Sequence, residues 1–382
     1  MITMRRTIPL YALLWCMIPL ASFAAEEKKL PIVYSTKYNI GFFGLENLHS
    51  FDSKKYGKVA AYIAAQFHRS IKDLFYEPEK PISDQELLKF HTQAYLDSLK
   101  NSSVVARITE VAPLAWLPNF LIQGSLLNSM RYATEGTIIA TELAWKNKQY
   151  AINLGGGYHH ADSAQGGGFC VFGDIQLAMQ WIWAKKSDAK ILYIDLDAHQ
   201  GNGVEHGLKS QMRETDVTKS RLVVFDMYGA PNYPNDLNSR DVRNYIQYNH
   251  PIDMQFVRRA AITGSAYLQQ VDELKTVIPN EKPDFIFYNA GTDVYEKDQL
   301  GRINLTKEDI KQRDQRVFEY AKANHVPLVM TLSGGYTKES ASIIGESIVN
   351  VLKTVWNVAP MPASQKPKLL QGLWTYLMSW FR

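Results

Sequence analysis

Cysteine is scarce in this chain, since only two of its 382 residues are cysteine. Cys16 lies in an apolar N-terminal segment with the character of a removable leader. The mature chain would then keep Cys170 alone and could form no internal disulfide, even in an oxidising compartment. An excess of one charge is also missing, because the formal net charge is +4 and the basic residues are scattered. We therefore expect no nucleic-acid partner, since binding of this kind requires a concentrated basic surface.

Linkers, internal repeats and low-complexity tracts are absent between residues 31 and 351. The hydrophobic content of 46% is enough to build a large core. Length alone would allow two domains, but α/β domains often run to about 250 residues or more as one unit. We therefore predict a single folded domain over residues 25–357.

The first 24 residues differ in character from the rest of the chain. Arg5 and Arg6 precede a mostly apolar run at residues 7–20, and Ser22-Phe23-Ala24 places small residues where a signal peptidase cleaves. An uncleaved membrane anchor is the alternative, but the run is short for a membrane-spanning helix. We predict that residues 1–24 are a cleaved signal peptide, which would place the mature protein in the periplasm or outside the cell.

The tail at residues 358–382 carries apolar side chains at helical spacing, flanked by Lys366, Lys368 and Arg382. The apolar positions are Leu369, Leu370, Leu373, Trp374, Leu377, Trp380 and Phe381. A helix with this pattern can lie on a membrane surface. Docking on the domain or on a partner subunit is the alternative.

Apolar runs of strand length alternate with helical patterns along the chain. One example is the helical pattern at residues 175–184, which lies between a glycine-rich loop and the apolar run at residues 191–194. Such alternation predicts an α/β fold with a mostly parallel central sheet and helices on both faces.

The most informative segment is residues 194–203, with the sequence IDLDAHQGNG. Asp197 and His199 stand two residues apart at the end of an apolar run, and residues i and i+2 of a strand point to the same side. A carboxylate and an imidazole that converge with a third ligand are typical of a catalytic zinc with one position open to water. The alternative is a buried strand that ends in a polar turn.

Three further apolar runs end in glycine and a side chain capable of chemistry. They finish with the sequences NLGGGYHH at residues 153–160, YNAGTD at 288–293 and LSGGY at 332–336. Sites in parallel sheets form at the carboxyl ends of strands, and glycine permits tight turns and close backbone approach there. None of the three has the spacing G-x-G-x-x-G, so a dinucleotide-binding loop of that type is excluded.

Together these segments resemble the zinc-dependent histone deacetylase family, whose members have an arginase-like fold. The likeness runs over residues 31–351 and includes GGGFC at 166–170. The likeness is greatest to the class IV branch, because of the segments FGLENLHSFD at 43–52, LPNF at 117–120 and DAHQGN at 197–202. The resemblance implies a single-domain enzyme that is bacterial and exported, with its site at the carboxyl ends of the strands.

The resemblance implies that Asp197, His199 and Asp293 bind Zn²⁺, which would activate a water in the open position. It also implies a monovalent cation, K⁺, bound through residues 195–199. The sequence DMYG at residues 226–229 is unlike class I members. The remaining ligands of that cation are therefore left open.

The resemblance also assigns roles to the histidine pair. Asp195 would hold His159, and its carboxylate would favour the charged imidazolium. Asn202 would face His160, and because an amide is uncharged, this histidine would be neutral more readily. We predict that His160 is the general base that later protonates the leaving amine, with His159 as the orienting and electrostatic partner.

Tyr336 matches the catalytic tyrosine of the family, which donates a hydrogen bond to the oxyanion. Gly168, Phe169 and Tyr233 resemble the wall of the tunnel that receives the substrate. A narrow apolar tube suits the methylenes of a lysine side chain. Ordinary core packing is the alternative for Phe169 and Tyr233.

The resemblance therefore implies hydrolysis of the amide of an N-acyl-lysine, acetyl or longer, in a protein or peptide. An acylated polyamine or another small amide is the alternative substrate. An arginase-like ureohydrolase needs a second carboxylate in D-x-H-x-D, and Gly201 stands at that position. An inactive module that only binds acyl-lysine would not need the complete set of ligands, histidines and tyrosine that is present.

Overall fold

The computed structural model describes residues 29–41, 52–205, 221–230, 232–234, 247–253 and 262–360. The predicted signal peptide at residues 1–24, the class IV-like segment up to residue 51 and residues 361–382 of the predicted tail lie outside the described residues. Within the described ranges, no helix combines the length and the apolar character needed to cross a membrane.

Seven strands of the described chain form one sheet in the order β1-β2-β7-β6-β3-β4-β5, and every pairing between them is parallel. The prediction of a parallel α/β sheet is therefore confirmed. The apolar runs singled out in the sequence are β2, β3, β6 and β7. The strands are β1 (Ile32–Val33), β2 (Tyr150–Asn153), β3 (Ile191–Asp195), β4 (Leu222–Ala230), β5 (Tyr248–Asp253), β6 (Phe285–Asn289) and β7 (Leu328–Thr331).

Strand β3 shows why the sheet is covered on both sides. Ile191 and Tyr193 belong to the core on one face, whereas Leu192 and Ile194 belong to the core on the other. All four side chains are fully buried. Because successive side chains of a strand point to opposite faces, an unbroken apolar run requires helices on each side of the sheet.

Helices fill the connections between strands and cover both faces. Helix α8 and the second half of α7 pack on the face of Tyr193, whereas α1, α11 and α12 pack on the face of Ile194. The helical pattern expected at residues 175–184 is α8. The α-helices are α1 (Lys55–Phe67), α2 (Ile71–Leu74), α3 (Asp84–Leu87), α4 (Gln93–Ser98), α5 (Ser102–Ile108), α6 (Asn119–Ile122), α7 (Asn128–Asn147), α8 (Asp174–Lys185), α9 (Gly264–Val271), α10 (Leu274–Glu281), α11 (Lys307–Ala323) and α12 (Ser340–Thr354).

Three shorter helical turns complete the described structure, at Thr36–Tyr38, Ala112–Trp116 and Gln123–Leu127. Helix α11 begins with a capping box. The Thr306 hydroxyl accepts from the Asp309 N–H at 3.1 Å, and the Asp309 carboxylate accepts from the Thr306 N–H at 3.0 Å. A cap of this kind contributes about 1 kcal/mol and fixes where the helix starts.

Candidate active site

The candidate site lies where β2, β3, β6 and β7 end, at the carboxyl edge of the sheet. Strand β3 pairs with β6, and β6 with β7, so the loops that follow these strands are neighbours. This is the edge at which parallel α/β sheets place their sites.

Asp197 and His199 lie in the loop after β3, and Asp293 lies in the loop after β6. All three side chains are buried. Nδ1 of His199 is 2.9 Å from Oδ2 of Asp293 and 3.1 Å from Oδ1 of Asp197. One potential ligand atom from each residue lies within 4.8 Å of the others. Two carboxylates and an imidazole that converge in this way fit a divalent metal ion.

Asp197 and His199 do not lie on a strand face, contrary to the prediction from the sequence. Strand β3 ends at Asp195, so the two-residue alternation of a strand does not bring Asp197 and His199 together. The loop is shaped instead by hydrogen bonds, since the His199 N–H donates to Oδ1 of Asp197 at 2.9 Å. The Ala198 N–H also donates to Oδ1 of Asp293 at 2.9 Å, which ties the two ligand loops to each other.

Glycine is required on both sides of the triad. A Cβ added at Gly291 would lie 2.2 Å from Oδ2 of Asp197, and one at Gly334 would lie 2.4 Å from Oδ2 of Asp293. The N–H of Gly334 donates to Oδ2 of Asp197 at 2.8 Å. These glycines therefore allow the backbone to approach the carboxylates closely enough to donate hydrogen bonds or pack against them.

His159 and His160 face different partners. Nδ1 of His159 lies 2.9 Å from Oδ2 of Asp195, and Nδ1 of His160 lies 2.7 Å from Oδ1 of Asn202. Asp195 is fully buried, and its other oxygen accepts from the Asn289 amide at 3.0 Å. The first histidine is therefore paired with a fixed carboxylate and the second with a neutral amide.

These partners separate the two histidines in pKa. Burial by itself would lower the pKa of His159, but the carboxylates of Asp195 and Asp197 outweigh it and raise that pKa to about 9. Burial holds the pKa of His160 well below its ordinary value, and the charges of His159 and His199 add to the effect. These shifts favour the cationic form of His159 and the neutral form of His160.

Tyr336 comes from the loop after β7, and its ring stands at 86° to that of His199, with the centroids 6.0 Å apart. Its backbone N–H donates to Oδ2 of Asp298 at 2.8 Å, which fixes the turn. Burial raises the pKa of the Tyr336 phenol well above 10, and the carboxylates of Asp293 and Asp197 raise it further. The hydroxyl is therefore protonated and able to donate.

The three predicted tunnel residues lie around this centre. Gly168 has φ 52°, and a Cβ there would lie 2.5 Å from Cδ2 of His160 and 2.9 Å from the Tyr233 ring. The Tyr233 ring stands perpendicular to that of His160, with the centroids 4.8 Å apart, and Tyr233 is 41% exposed. Phe169 and Tyr336 border one small cavity of about 30 Å³ beside His159.

Two buried residues that were not predicted from the sequence bind the backbone of the loops around the site. Lys55 is fully buried, and its ammonium donates to the carbonyl oxygens of Ser333 at 2.6 Å and Gly334 at 3.1 Å. Burial lowers the pKa of Lys55 to about 8 despite the carboxylates of Asp293 and Asp197, the two strongest opposing charges. Lys55 follows another lysine, a pattern typical of a solvated helix start, so the sequence gives no signal of its burial.

Asp174, at the start of α8, is the second such residue. Its carboxylate is fully buried and accepts from the N–H of Gly157 at 2.9 Å, the N–H of Tyr158 at 2.8 Å and the Thr137 hydroxyl at 2.6 Å. It therefore fixes the turn that delivers His159. An aspartate at a helix start usually predicts a solvent-exposed cap, so the sequence does not indicate the burial of Asp174.

Asp226 and Glu205 form a buried acidic group beside Asp195. Asp226 lies directly across from Asp195 in the sheet, and its Oδ2 accepts from the Gly201 N–H at 3.1 Å. Burial raises the pKa of Glu205 to about 8 and also raises that of Asp226, with Asp195 adding to both shifts. The segment that differs from class I thus adds a carboxyl group next to the predicted K⁺ segment.

The fold is an α/β sheet whose strand ends carry a triad that could hold a metal ion. Comparison with known proteins gives the family of the chain. The model of the histone deacetylase domain matches residues 49–352. The chain belongs to this family of metal-dependent hydrolases.

Individual relatives agree with this assignment. The chain is 40% identical over 331 residues to histone deacetylase 2 of Arabidopsis thaliana, covering 86% of this chain and 80% of that protein. It is 27% identical over 271 residues to histone deacetylase 1 of Homo sapiens, covering 69% of this chain and 52% of that protein. The crystal structure of the HDA15 HD domain matches with a TM-score of 0.65 at 16% identity, covering 93% of this chain and 98% of that one. The last likeness shows the fold.

Proposed function

We propose that the chain is a zinc-dependent lysine deacylase of the class IV branch, which hydrolyses the amide of an N-acyl-lysine. The observation that carries the proposal is the unequal histidine pair beside a buried Asp-His-Asp triad. His159 is paired with the Asp195 carboxylate and His160 with the Asn202 amide. Hydrolysis of an acyl amide is accelerated by a base that takes a proton from water and by a positive charge that stabilises the oxyanion, and the pair offers a candidate for each.

Asp197, His199 and Asp293 would hold the zinc ion, because its usual ligands are nitrogen and carboxylate oxygen. When bound, zinc polarises the substrate carbonyl and makes water a better nucleophile. Two anionic ligands leave a bound ion less acidic than neutral ligands would. The reaction therefore depends on a protein base to take the proton of the attacking water.

His160 is the candidate for that base, because burial holds its pKa low and favours the neutral form. Its Nδ1 is occupied by Asn202, which leaves Nε2 to accept the proton from water. The same nitrogen then returns the proton to the leaving amine. His159 stays cationic against Asp195 and stabilises negative charge as it develops in the transition state.

Tyr336 is the candidate for stabilising the carbonyl oxygen. Burial keeps its hydroxyl protonated, and Tyr336 borders the same small cavity as His159. A hydrogen bond to the oxygen as it gains charge is worth about 10²–10³-fold in kcat. Gly168, Phe169 and Tyr233 would form the wall of the tunnel along which the lysine methylenes lie.

The proposal has three further parts, which concern export of the protein, a K⁺ ion and the C-terminal tail. The leader at residues 1–24 supports export by a cleaved signal peptide, to the periplasm or beyond. The acidic group around Asp195 supports a K⁺ ion near residues 195–199. The apolar tail at residues 358–382 supports contact with a membrane surface or a partner subunit. Sequencing the N-terminus of the secreted or periplasmic protein tests the first of these.

The test of the proposed reaction is turnover of the purified mature chain on lysine peptides that carry acetyl, octanoyl or myristoyl groups. We expect chelator-sensitive hydrolysis that zinc restores. Tyr336→Phe should lose about 10²–10³-fold in kcat. His160→Ala should lose about 10²–10⁴-fold, and retention of more than about a tenth of the activity would reject this histidine as the base.

Tyr320→Phe is the matched control, because this tyrosine lies on α11 and donates to Asp272, away from the site. It should keep the turnover of the wild type. No hydrolysis of any acyl-lysine by zinc-loaded protein would reject the proposed substrate. An acetylated polyamine in the same assay would then show whether a small acylated amine takes its place.

A further inference from the structure

Arg313 is a fully buried arginine in the middle of α11, a helix whose other charged side chains are mostly solvent-exposed or half-buried. The roles assigned above to the triad, the histidines and Tyr336 make no use of it. A buried charge is costly unless it is paired and hydrogen-bonded, so its partners identify what it does.

One nitrogen of Arg313 joins the two metal-ligand loops. Nη1 donates to the carbonyl oxygen of Leu196 at 3.0 Å and to that of Gly291 at 2.7 Å. Leu196 directly precedes Asp197, and Gly291 lies two residues before Asp293. A single guanidinium group therefore forms hydrogen bonds with the backbone of both loops that carry the anionic ligands.

The other side of the same guanidinium is fixed by Asp314. Nε donates to Oδ1 of Asp314 at 2.9 Å, and Nη2 forms an ion pair with the same oxygen at 2.8 Å. Asp314 in turn accepts from the hydroxyl of Tyr288 on β6 and from that of Ser347 on α12. The arginine is thus anchored to the sheet and to two helices, which leaves it little freedom to move.

We propose that Arg313 is a positioning residue that sets the spacing between Asp197 and Asp293 for the metal ion. The inference rests on the proposed metal site. It adds that the affinity of that site depends on a side chain that touches none of the ligands. Outer groups that orient metal ligands typically change metal affinity by about 10- to 100-fold when they are removed.

Lysine cannot replace arginine in this role. The guanidinium spreads its donors over three nitrogens in a rigid plane, so it can serve the two loops with one nitrogen and Asp314 with the others. A lysine ammonium places all its donors on one atom at the end of a shorter chain. It can bind the loops or Asp314 but cannot hold both.

The decisive experiment compares Arg313→Lys with Arg316→Lys in the mature chain. Arg316 lies on the same helix and donates to the carbonyl oxygen of Leu268, far from the ligand loops. Zinc affinity is measured by competition with a chromophoric chelator, and the geometry of the site by the visible spectrum of the Co²⁺-loaded protein. The thermal midpoint of the metal-free protein is measured separately.

We expect Arg313→Lys to lower zinc affinity by about tenfold or more and to change the Co²⁺ spectrum. Arg316→Lys should match the wild type in both. Unaltered zinc affinity and an unaltered Co²⁺ spectrum in Arg313→Lys would overturn the proposal, even if the thermal midpoint falls, because that residue would then be structural only. A wild-type chain that binds no metal would instead reject the proposed metal site itself.

If Arg313→Lys does not fold, Ser347→Ala provides a second test of the proposal. This change removes one hydrogen bond to Asp314 and leaves the arginine in place. We expect a smaller loss of zinc affinity in the same direction. Zinc affinity equal to that of the wild type in a folded Ser347→Ala protein would contradict the proposed chain of contacts.

Discussion

His160 meets the side-chain oxygen of Asn202 at 2.7 Å, so the amide holds the ring without adding a charge to it. The neighbouring histidine has a carboxylate in the equivalent place. Burial lowers the pKa of both imidazoles, and the carboxylates of Asp195 and Asp197 reverse this effect only at His159. The amide is therefore a direct target for changing the pH range of the enzyme.

Asn202→Asp should move the acid limb of the profile of kcat/KM against pH upward by about one unit or more. The new carboxylate raises the pKa of His160, and a base must be neutral to accept a proton, so a higher pH is needed for activity. Asn324→Asp, at a helix end remote from the site, should leave the limb in place. An unmoved acid limb in Asn202→Asp would show that His160 is not the base.

Zinc binding should stabilise the fold as well as the reaction. Free zinc at about 100 times its dissociation constant adds about 2.7 kcal/mol to the free energy of unfolding, because only the folded chain assembles the triad. Thermal unfolding of the apo and zinc-loaded protein measures the difference. Asp197→Ala should abolish it, whereas Asp188→Ala, at an exposed position on the surface, should not. Stabilisation by zinc in Asp197→Ala would place the ion elsewhere.

His91 should make the stability of the chain sensitive to acid. Its Nε2 accepts from the Gly173 N–H at 2.9 Å in a buried position, and burial lowers its pKa from 6.5 to about 4. Between pH 6.5 and about pH 4, His91 is protonated in the unfolded chain but stays neutral in the folded chain. The contribution is therefore fully present above pH 6.5 and is lost as the pH falls towards 4, by about 3 kcal/mol in all.

The free energy of unfolding, measured with urea at about pH 7.5 and at about pH 4.5, tests this prediction. In His91→Gln, whose amide oxygen can still accept from Gly173, the loss of stability on acidification should be smaller than in the wild type. His325→Gln, at an exposed position, should behave as the wild type does. Equal pH slopes in the wild type and His91→Gln would contradict the prediction.

Asp174→Asn should lower kcat and stability together. An asparagine side chain has one accepting oxygen, so it cannot serve the Gly157 and Tyr158 N–H groups and the Thr137 hydroxyl as the carboxylate does. A buried donor left without its acceptor costs about 1–3 kcal/mol. Steady-state kinetics and urea unfolding measure the two effects, with Asp188→Asn as the surface control. Unchanged kcat would mean that the turn before His159 needs no such support.

The sheet and the strand ends were predictable because their signals are local. Four apolar runs that end in glycine correspond to β2, β3, β6 and β7, and in a parallel sheet their ends must face one edge. Asp197 and His199 were predicted to converge because they would lie on one face of a strand. In the structure they lie in a loop, and hydrogen bonds formed by that loop bring them together. Asp293 as the third ligand came from the resemblance, and the structure adds the convergence of all three residues within 4.8 Å.

The supporting charges could not be predicted because their meaning depends on distant parts of the chain. Lys55 reaches carbonyl oxygens 278 and 279 residues away, and Arg313 reaches one 117 residues away. Both lie in segments rich in charge, where a solvent-facing role is the ordinary expectation. Their burial follows from how the helices pack on the sheet, which residue patterns along one helix do not encode.

The strand order also has a consequence for how the chain is made. Among the described strands, β6 and β7 are synthesised last, yet they lie between β2 and β3 in the sheet. While a ribosome still holds the final hundred or so residues, β2 and β3 have no central partners and their apolar edges are open to other chains. A nascent chain therefore lacks Asp293 and Tyr336 until these late segments emerge, and we expect it to be prone to association until then.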